Sequence, residues 1–162
     1  EIMSSDWSSD VCSSDLMAIT LPMMAKARKA AERTNCMNNL KNLGGAMAMY
    51  LDESRDIMPL CAQLPSAKLN SKPRIVDVLL PHAGSERVFQ CPADDQYFGT
   101  EGSSYEYNSM LGGRKVAETF LSKKWGEENV PVMYDYEPFH GKAGTAGAAN
   151  YLFADAHVGD LK

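Results

Sequence analysis

Cys36-Met37-Asn38-Asn39-Leu40-Lys41-Asn42-Leu43-Gly44-Gly45-Ala46-Met47-Ala48-Met49-Tyr50-Leu51 is the stretch on which the fold turns. Cys36, Leu40, Leu43, Met47 and Tyr50 recur at spacings of four and three, which is the period of one face of an α-helix. Met37, Gly44 and Leu51 widen the same stripe, and the alanine, methionine, lysine and leucine around it are good helix formers. The pattern predicts a helix over 17–51, with Pro22 near its start where a proline is tolerated or kinks the chain. Ala25 to Arg33 differs in kind: Lys26, Arg28, Lys29 and Arg33 stand against Glu32 alone, with little to bury. One half of this helix is therefore expected to pack on a domain, while a slim basic half stands clear of it. Gly44-Gly45 weakens the packed half as a helix and predicts the close approach of another backbone there.

Downstream the pattern breaks up. Asp52 to Asp56 closes the helix in a polar loop, Pro59 prevents its continuation, and Pro65, Pro73, Pro81 and Pro92 punctuate a loop-rich region. Ile75 to Leu80 reads as a short apolar helix or strand, and Val88-Phe89 as a strand fragment. Ser103 to Asn108 alternates polar and aromatic residues as a half-buried strand does, and Leu111-Gly112-Gly113 marks a turn. Ala117 to Lys124 reads as a surface helical turn and Pro131 to Asp135 as another strand. A glycine-rich loop from His140 then leads into one last alternating strand, Asn150 to Val158. The expected fold class is α+β: a long N-terminal helix packed on a small antiparallel β-sheet head, loop-rich, with the helix over 17–52 and the head over 53–162.

The chain has 162 residues, enough for one domain with a core, and a net charge of -5. That acidity excludes a nucleic-acid partner, which would need a basic face to neutralise phosphates. The basic run in the helix can rest against anionic lipid headgroups or serve as a solvated helix face. No uninterrupted apolar stretch reaches the ~20 residues that span a bilayer. Residues 1–16 repeat Ser-Ser-Asp three times with no periodicity before the apolar run from Met17. They read as a non-native leader resembling translated adapter sequence, to be set aside in fold reasoning together with Cys12; a natural polar leader is the other reading.

Four cysteines, Cys12, Cys36, Cys61 and Cys91, lack the close pairing of a zinc motif. They fit free thiols or a disulfide. Cys36–Cys91 would pin the head to the helix for roughly 4 kcal/mol by chain entropy, with Cys61–Cys91 as the competing pair. His140, Asp155 and His157 form the one set of side chains with metal-ligand chemistry, Asp155 and His157 sharing a face of the last expected strand. No tight ligand spacing supports them. The plainer reading gives Asp155 a turn or a backbone hydrogen bond. Asp94-Asp95 likewise reads as turn chemistry rather than a calcium cage. Gly141 to Gly147 lacks the lysine-serine ending of a phosphate-binding loop, and no serine sits in a nucleophile elbow. No cofactor and no enzymatic activity are expected.

Taken together, the motifs resemble a family. Leu21 to Arg28, Cys36 to Gly44 and Ala46 to Tyr50 look like the post-membrane helix of prepilin-type, type II secretion pseudopilin-like proteins. Val88-Phe89-Gln90-Cys91-Pro92-Ala93-Asp94 is similar to the Cys-Pro-Ser-Asp turn of that family, and Ser104-Tyr105-Glu106-Tyr107-Asn108 to its Ser-Tyr-x-Tyr-Asn strand. His140 through Val158 resembles its C-terminal His-x9-Asp-Gly signature, with two departures. Fourteen residues separate His140 from Asp155, and Ala156 stands in the glycine position, where a left-handed backbone would be strained. The resemblance implies a structural, non-enzymatic component of a bacterial secretion or surface-filament system. Its helix would anchor in the inner membrane through a segment missing here, with the head periplasmic or extracellular. Its partners would be other pilin-like subunits or secretion-system components, and Lys26 to Arg33 would lie at the headgroup boundary. Two rivals remain: an exported metal-dependent hydrolase or ligand-binding module using His140, Asp155 and His157, and a sugar- or polymer-binding head presenting Tyr105, Tyr107 and Tyr151.

Overall fold

A computed structural model describes residues 11–68 and 71–161, with side chains from Leu21 onward; the repeat within 1–10 and the side chain of Cys12 lie outside the described residues. The helix predicted from the apolar stripe is α1, Val11–Ser54, which continues through Pro22 and extends three residues beyond Leu51. Cys36, Leu40, Leu43 and Met47 are buried and Tyr50 and Leu51 half-buried, as the spacing requires. Each fully buried leucine on this face contributes on the order of 2 kcal/mol from removal of apolar surface from water.

The remaining chain forms a head built of short pieces. Ile75 to Leu80 resolves as a helix, α2 (Ile75–Ala83). Arg74 and Asp77 cap its start, and Gly84 in the left-handed region ends it. The segment around Val88-Phe89 departs from the expected strand. Glu86–Phe89 is a 3-10 turn rather than a strand, because Ser85 accepts the Arg87 N–H and tightens the backbone while Phe89 buries itself. α3 spans Tyr97–Glu101 and α4 Phe120–Trp125, the latter overlapping the expected surface helical turn and ending one residue beyond it.

The strands are β1 (Tyr105–Tyr107), β2 (Pro131–Asp135), β3 (Tyr151–Phe153) and β4 (Val158–Gly159), paired antiparallel in the order β1-β2-β3-β4. Tyr105 faces Asp135 and Tyr107 faces Met133, and Leu152 pairs with Val158. The fold is thus α+β, a long N-terminal helix on a small antiparallel sheet.

The long last strand expected over Asn150 to Val158 is instead a hairpin. Ala154 to His157 turns between β3 and β4, with Ala156 N–H bonded to the Phe153 carbonyl and Phe153 N–H to the His157 carbonyl. Asp155 closes the turn by accepting the His157 backbone N–H at 3.0 Å. Ala156 occupies the left-handed region at φ 67°, where an alanine is strained.

α1 packs chiefly on α2 and, through the face bearing Gly44, on the end of the sheet. A methyl at Gly44 would meet Leu152 Cδ1 at 2.9 Å, whereas nothing lies within 4 Å of one at Gly45. The close approach is real, but it involves a strand's side chain rather than its backbone, and only the first glycine serves it.

Candidate functional site

The polar chemistry of the head concentrates where α1 crosses the end of β2. Arg33, three residues before Cys36, is half-buried against the head rather than part of the protruding basic run. Its Nε donates to Asn150 Oδ1 at 3.2 Å and its Nη2 pairs with Asp160 at 2.9 Å. Asn150 in turn donates its backbone N–H (2.8 Å) and Nδ2 (3.0 Å) to Asp135 Oδ2. The glycine-rich loop makes room for this: Gly147 sits at φ 77°, and a Cβ there would fall 2.6 Å from Arg33 Nη1. His140 anchors the start of the same loop by donating its backbone N–H to the Ala148 carbonyl.

Behind Asp135 lie Cys36 from α1, Cys91 from the turn after Phe89, and His140. Cys36 Sγ lies 3.1 Å from Asp135 Oδ1, Cys91 Sγ 3.5 Å from His140 Nε2, and His140 Nε2 3.7 Å from Asp135 Oδ2. One ligand atom from each of Cys36, Cys91 and His140 falls within 4.8 Å of the others, and among the described residues no other set of three histidine, cysteine or acidic side chains does so. Both sulfurs are 0% exposed. Cys36 and Cys91, named from the sequence as a disulfide candidate, are thus neighbours, present as free thiols; Cys61 is buried nearer Asp77 and Lys72, where burial pushes its thiol up to about 12.

The hydrogen bond between the two cysteines, then burial, pushes Cys36 far up, while the same bond followed by His140, acting against burial, draws Cys91 down to about 5. Burial raises Asp135 to about 6 even though Asn150 supports the carboxylate.

A cysteine, a histidine and an aspartate invite comparison with a nucleophilic triad, and the geometry rejects it. In a triad the imidazole uses one nitrogen for the nucleophile and the other for the carboxylate. Here Nε2 faces both. Nor does a substrate reach the sulfur: the two large surface grooves, about 560 and 630 Å3, run along the glycine-rich loop and beside Trp125, and neither is lined by Cys36, Cys91 or His140.

The set named from sequence, His140, Asp155 and His157, does not assemble. His140 is buried at the cysteines, whereas Asp155 and His157 pair with each other at 2.5 Å in the exposed β3–β4 turn. The backbone N–H of His157 holds Asp155 below the usual carboxylate range, which is the turn role of the plainer reading. Asp94 is similar. Burial pushes it up, but Ser104 and the backbone N–H groups of Gln96, Tyr97 and Phe98 outweigh that and hold it down. Its oxygens accept all three N–H groups at 2.8–2.9 Å and so start α3. Tyr105 and Tyr107, at 1% exposure, belong to the core and cannot present rings to a polymer. The residues missed from sequence are Asp135 and Asn150, for which alternation within a strand is the only signal and does not mark function. No described helix is long and apolar enough to cross a membrane. No protein-family model matches this chain, no curated protein matches it in sequence, and no solved structure matches its fold.

Proposed function

We infer that this protein is a structural, non-enzymatic, pilin-like subunit of a bacterial secretion or surface-filament system. One observation carries the reading: from Leu21 to Ala31 every residue of α1 is exposed, although the same helix buries one face deeply from Cys36 to Met47. Isolated helical segments are marginal in water and gain most of their stability from packing. A stretch that keeps helical form with no cover from its own head is a stem for something else. Leu21, Met23 and Met24 supply apolar surface there, and Lys26, Arg28 and Lys29 supply charge beside it. Neighbouring stems suit the first group, and an anionic headgroup layer suits the second. In the full-length protein the anchoring segment would precede Met17, with the head outside the inner membrane. The buried polar network of Arg33, Asn150 and Asp135 then fixes the angle at which the stem leaves the head.

Fractionation of the source bacterium producing the protein from its own reading frame tests this. The protein is expected in the membrane or sheared-filament fraction, and deletion of 17–31 is expected to release a folded head. Recovery of the undeleted protein wholly in the soluble fraction would contradict the reading.

A further inference from the structure

Cys36, Cys91 and His140 come from three separate parts of the fold, α1, the turn after Phe89 and the segment after β2, yet their ligand atoms face one another within 4.8 Å in a closed interior. We propose that Cys36 Sγ, Cys91 Sγ and His140 Nε2 bind a structural zinc ion that staples the stem helix to the head, with Asp135 as the carboxylate beside it.

The distances suit the ion. Zinc–sulfur and zinc–nitrogen bonds of about 2.3 and 2.05 Å at the tetrahedral angle place sulfur and nitrogen about 3.6 Å apart. Cys91 Sγ and His140 Nε2 are 3.5 Å apart. Asp135 Oδ1 and Oδ2 already reach Cys36 and His140 at 3.1 and 3.7 Å. Two thiolates and an imidazole form a borderline-soft donor set that favours zinc over magnesium or calcium. Asn150, donating twice to Asp135, holds the carboxylate in place as an outer partner does at many metal centres.

A Cys36–Cys91 disulfide uses the same sulfurs and accounts for less. It gives His140 Nε2, 3.5 Å from Cys91 Sγ, no part as a ligand. Both cysteines are fully buried and neither they nor His140 line the two large surface grooves, so the ion is structural rather than catalytic. This inference does not depend on the assembly reading, since a soluble head would be stapled equally well.

The test is metal analysis of the full chain produced with zinc in the medium and purified without chelator, joined to peptide mapping of its cysteines. About one zinc per chain is expected, with Cys36 and Cys91 unlinked. Cobalt exchanged into the site is expected to give a thiolate-to-metal charge-transfer band that Cys91→Ser removes. Asp135→Asn, which keeps all three ligands, is expected to weaken zinc binding about 10- to 100-fold in competition with a chromogenic chelator. If a ligand variant fails to fold, the wild-type chain titrated with chelator still decides, since its thermal midpoint is expected to fall and to recover on adding zinc. A folded protein with less than a tenth of an equivalent of zinc that takes up no cobalt, or Cys36 and Cys91 recovered as one linked peptide, would overturn the proposal.

Discussion

Gly44 and Gly45 are adjacent in sequence and opposite in consequence, and alanine at each gives two results that must differ. In a helix interior alanine is favoured over glycine by about 0.5–1 kcal/mol, a gain available at both positions. At Gly45 nothing lies within 4 Å of the added methyl, so the gain should appear undiminished. At Gly44 the methyl would stand 2.9 Å from Leu152 Cδ1 and 3.6 Å from Ala156 Cβ. Leu152 is 1% exposed and cannot swing into solvent. Overpacking of this kind costs about 1–3 kcal/mol, which exceeds the propensity gain. Gly45→Ala should therefore stabilise by about 0.5–1 kcal/mol and Gly44→Ala destabilise by about 1 kcal/mol. For a domain of this size the two midpoints should lie about 4–8 °C apart. Urea unfolding followed by circular dichroism measures both free energies, and an unchanged slope certifies that the unfolded states match. In a Leu152→Ala background the Gly44→Ala penalty should vanish, a coupling that the double-mutant cycle isolates. If both glycine variants stabilise equally, α1 does not rest on β3 as described.

Three further perturbations follow from single local features. Ala156→Gly relieves a left-handed alanine at φ 67°. After the entropy of the added glycine is subtracted it should raise stability by up to about 1 kcal/mol in the same urea assay. Gly147→Ala puts a methyl against Arg33 Nη1 at a left-handed position and should cost about 1–2 kcal/mol, with faster amide exchange around Asn150. Asp94→Asn removes a carboxylate that accepts three backbone N–H groups and should cost about 1–2 kcal/mol at pH 7. Because the folded carboxyl titrates below its ordinary 3.8, its contribution is complete above that value and disappears as pH falls through the lower folded one. The wild-type and Asp94→Asn unfolding curves should therefore converge in acid.

What was legible in the sequence followed from period. The stripe Cys36, Leu40, Leu43, Met47 specifies a buried helix face because few other backbones place those positions together, and Pro131 to Asp135 is a strand because four of its five residues are buried between partners. Alternation misled at the other end of the sheet. Tyr151 to Val158 keeps a period of two through Ala154-Asp155-Ala156, and only the pairing of Asp155 with the His157 N–H turns that alternation into a hairpin. The interior cluster was illegible for a different reason. Zinc motifs are recognised in sequence when ligands are close along the chain, whereas Cys91 and His140 are 49 residues apart and Cys36 and Asp135 are 99 apart. They meet only because the helix stripe and the sheet register put them on facing surfaces. Arg33 shows the same limit: by composition it belongs with Lys26, Arg28 and Lys29, and its contacts with Asn150 and Asp160 separate it from them.

Cysteine cross-linking in intact source cells tests the central claim, that the exposed half of α1 is a stem covered by neighbouring subunits. Met24 on the stem and Met110 on the head are 68% and 69% exposed, so a cysteine at either leaves the fold intact. In a background with Cys12→Ser, Met24→Cys is expected to cross-link efficiently to another pilin-like subunit and Met110→Cys at most weakly. A Met24→Cys chain that stays monomeric under conditions where Met110→Cys reacts would contradict the account.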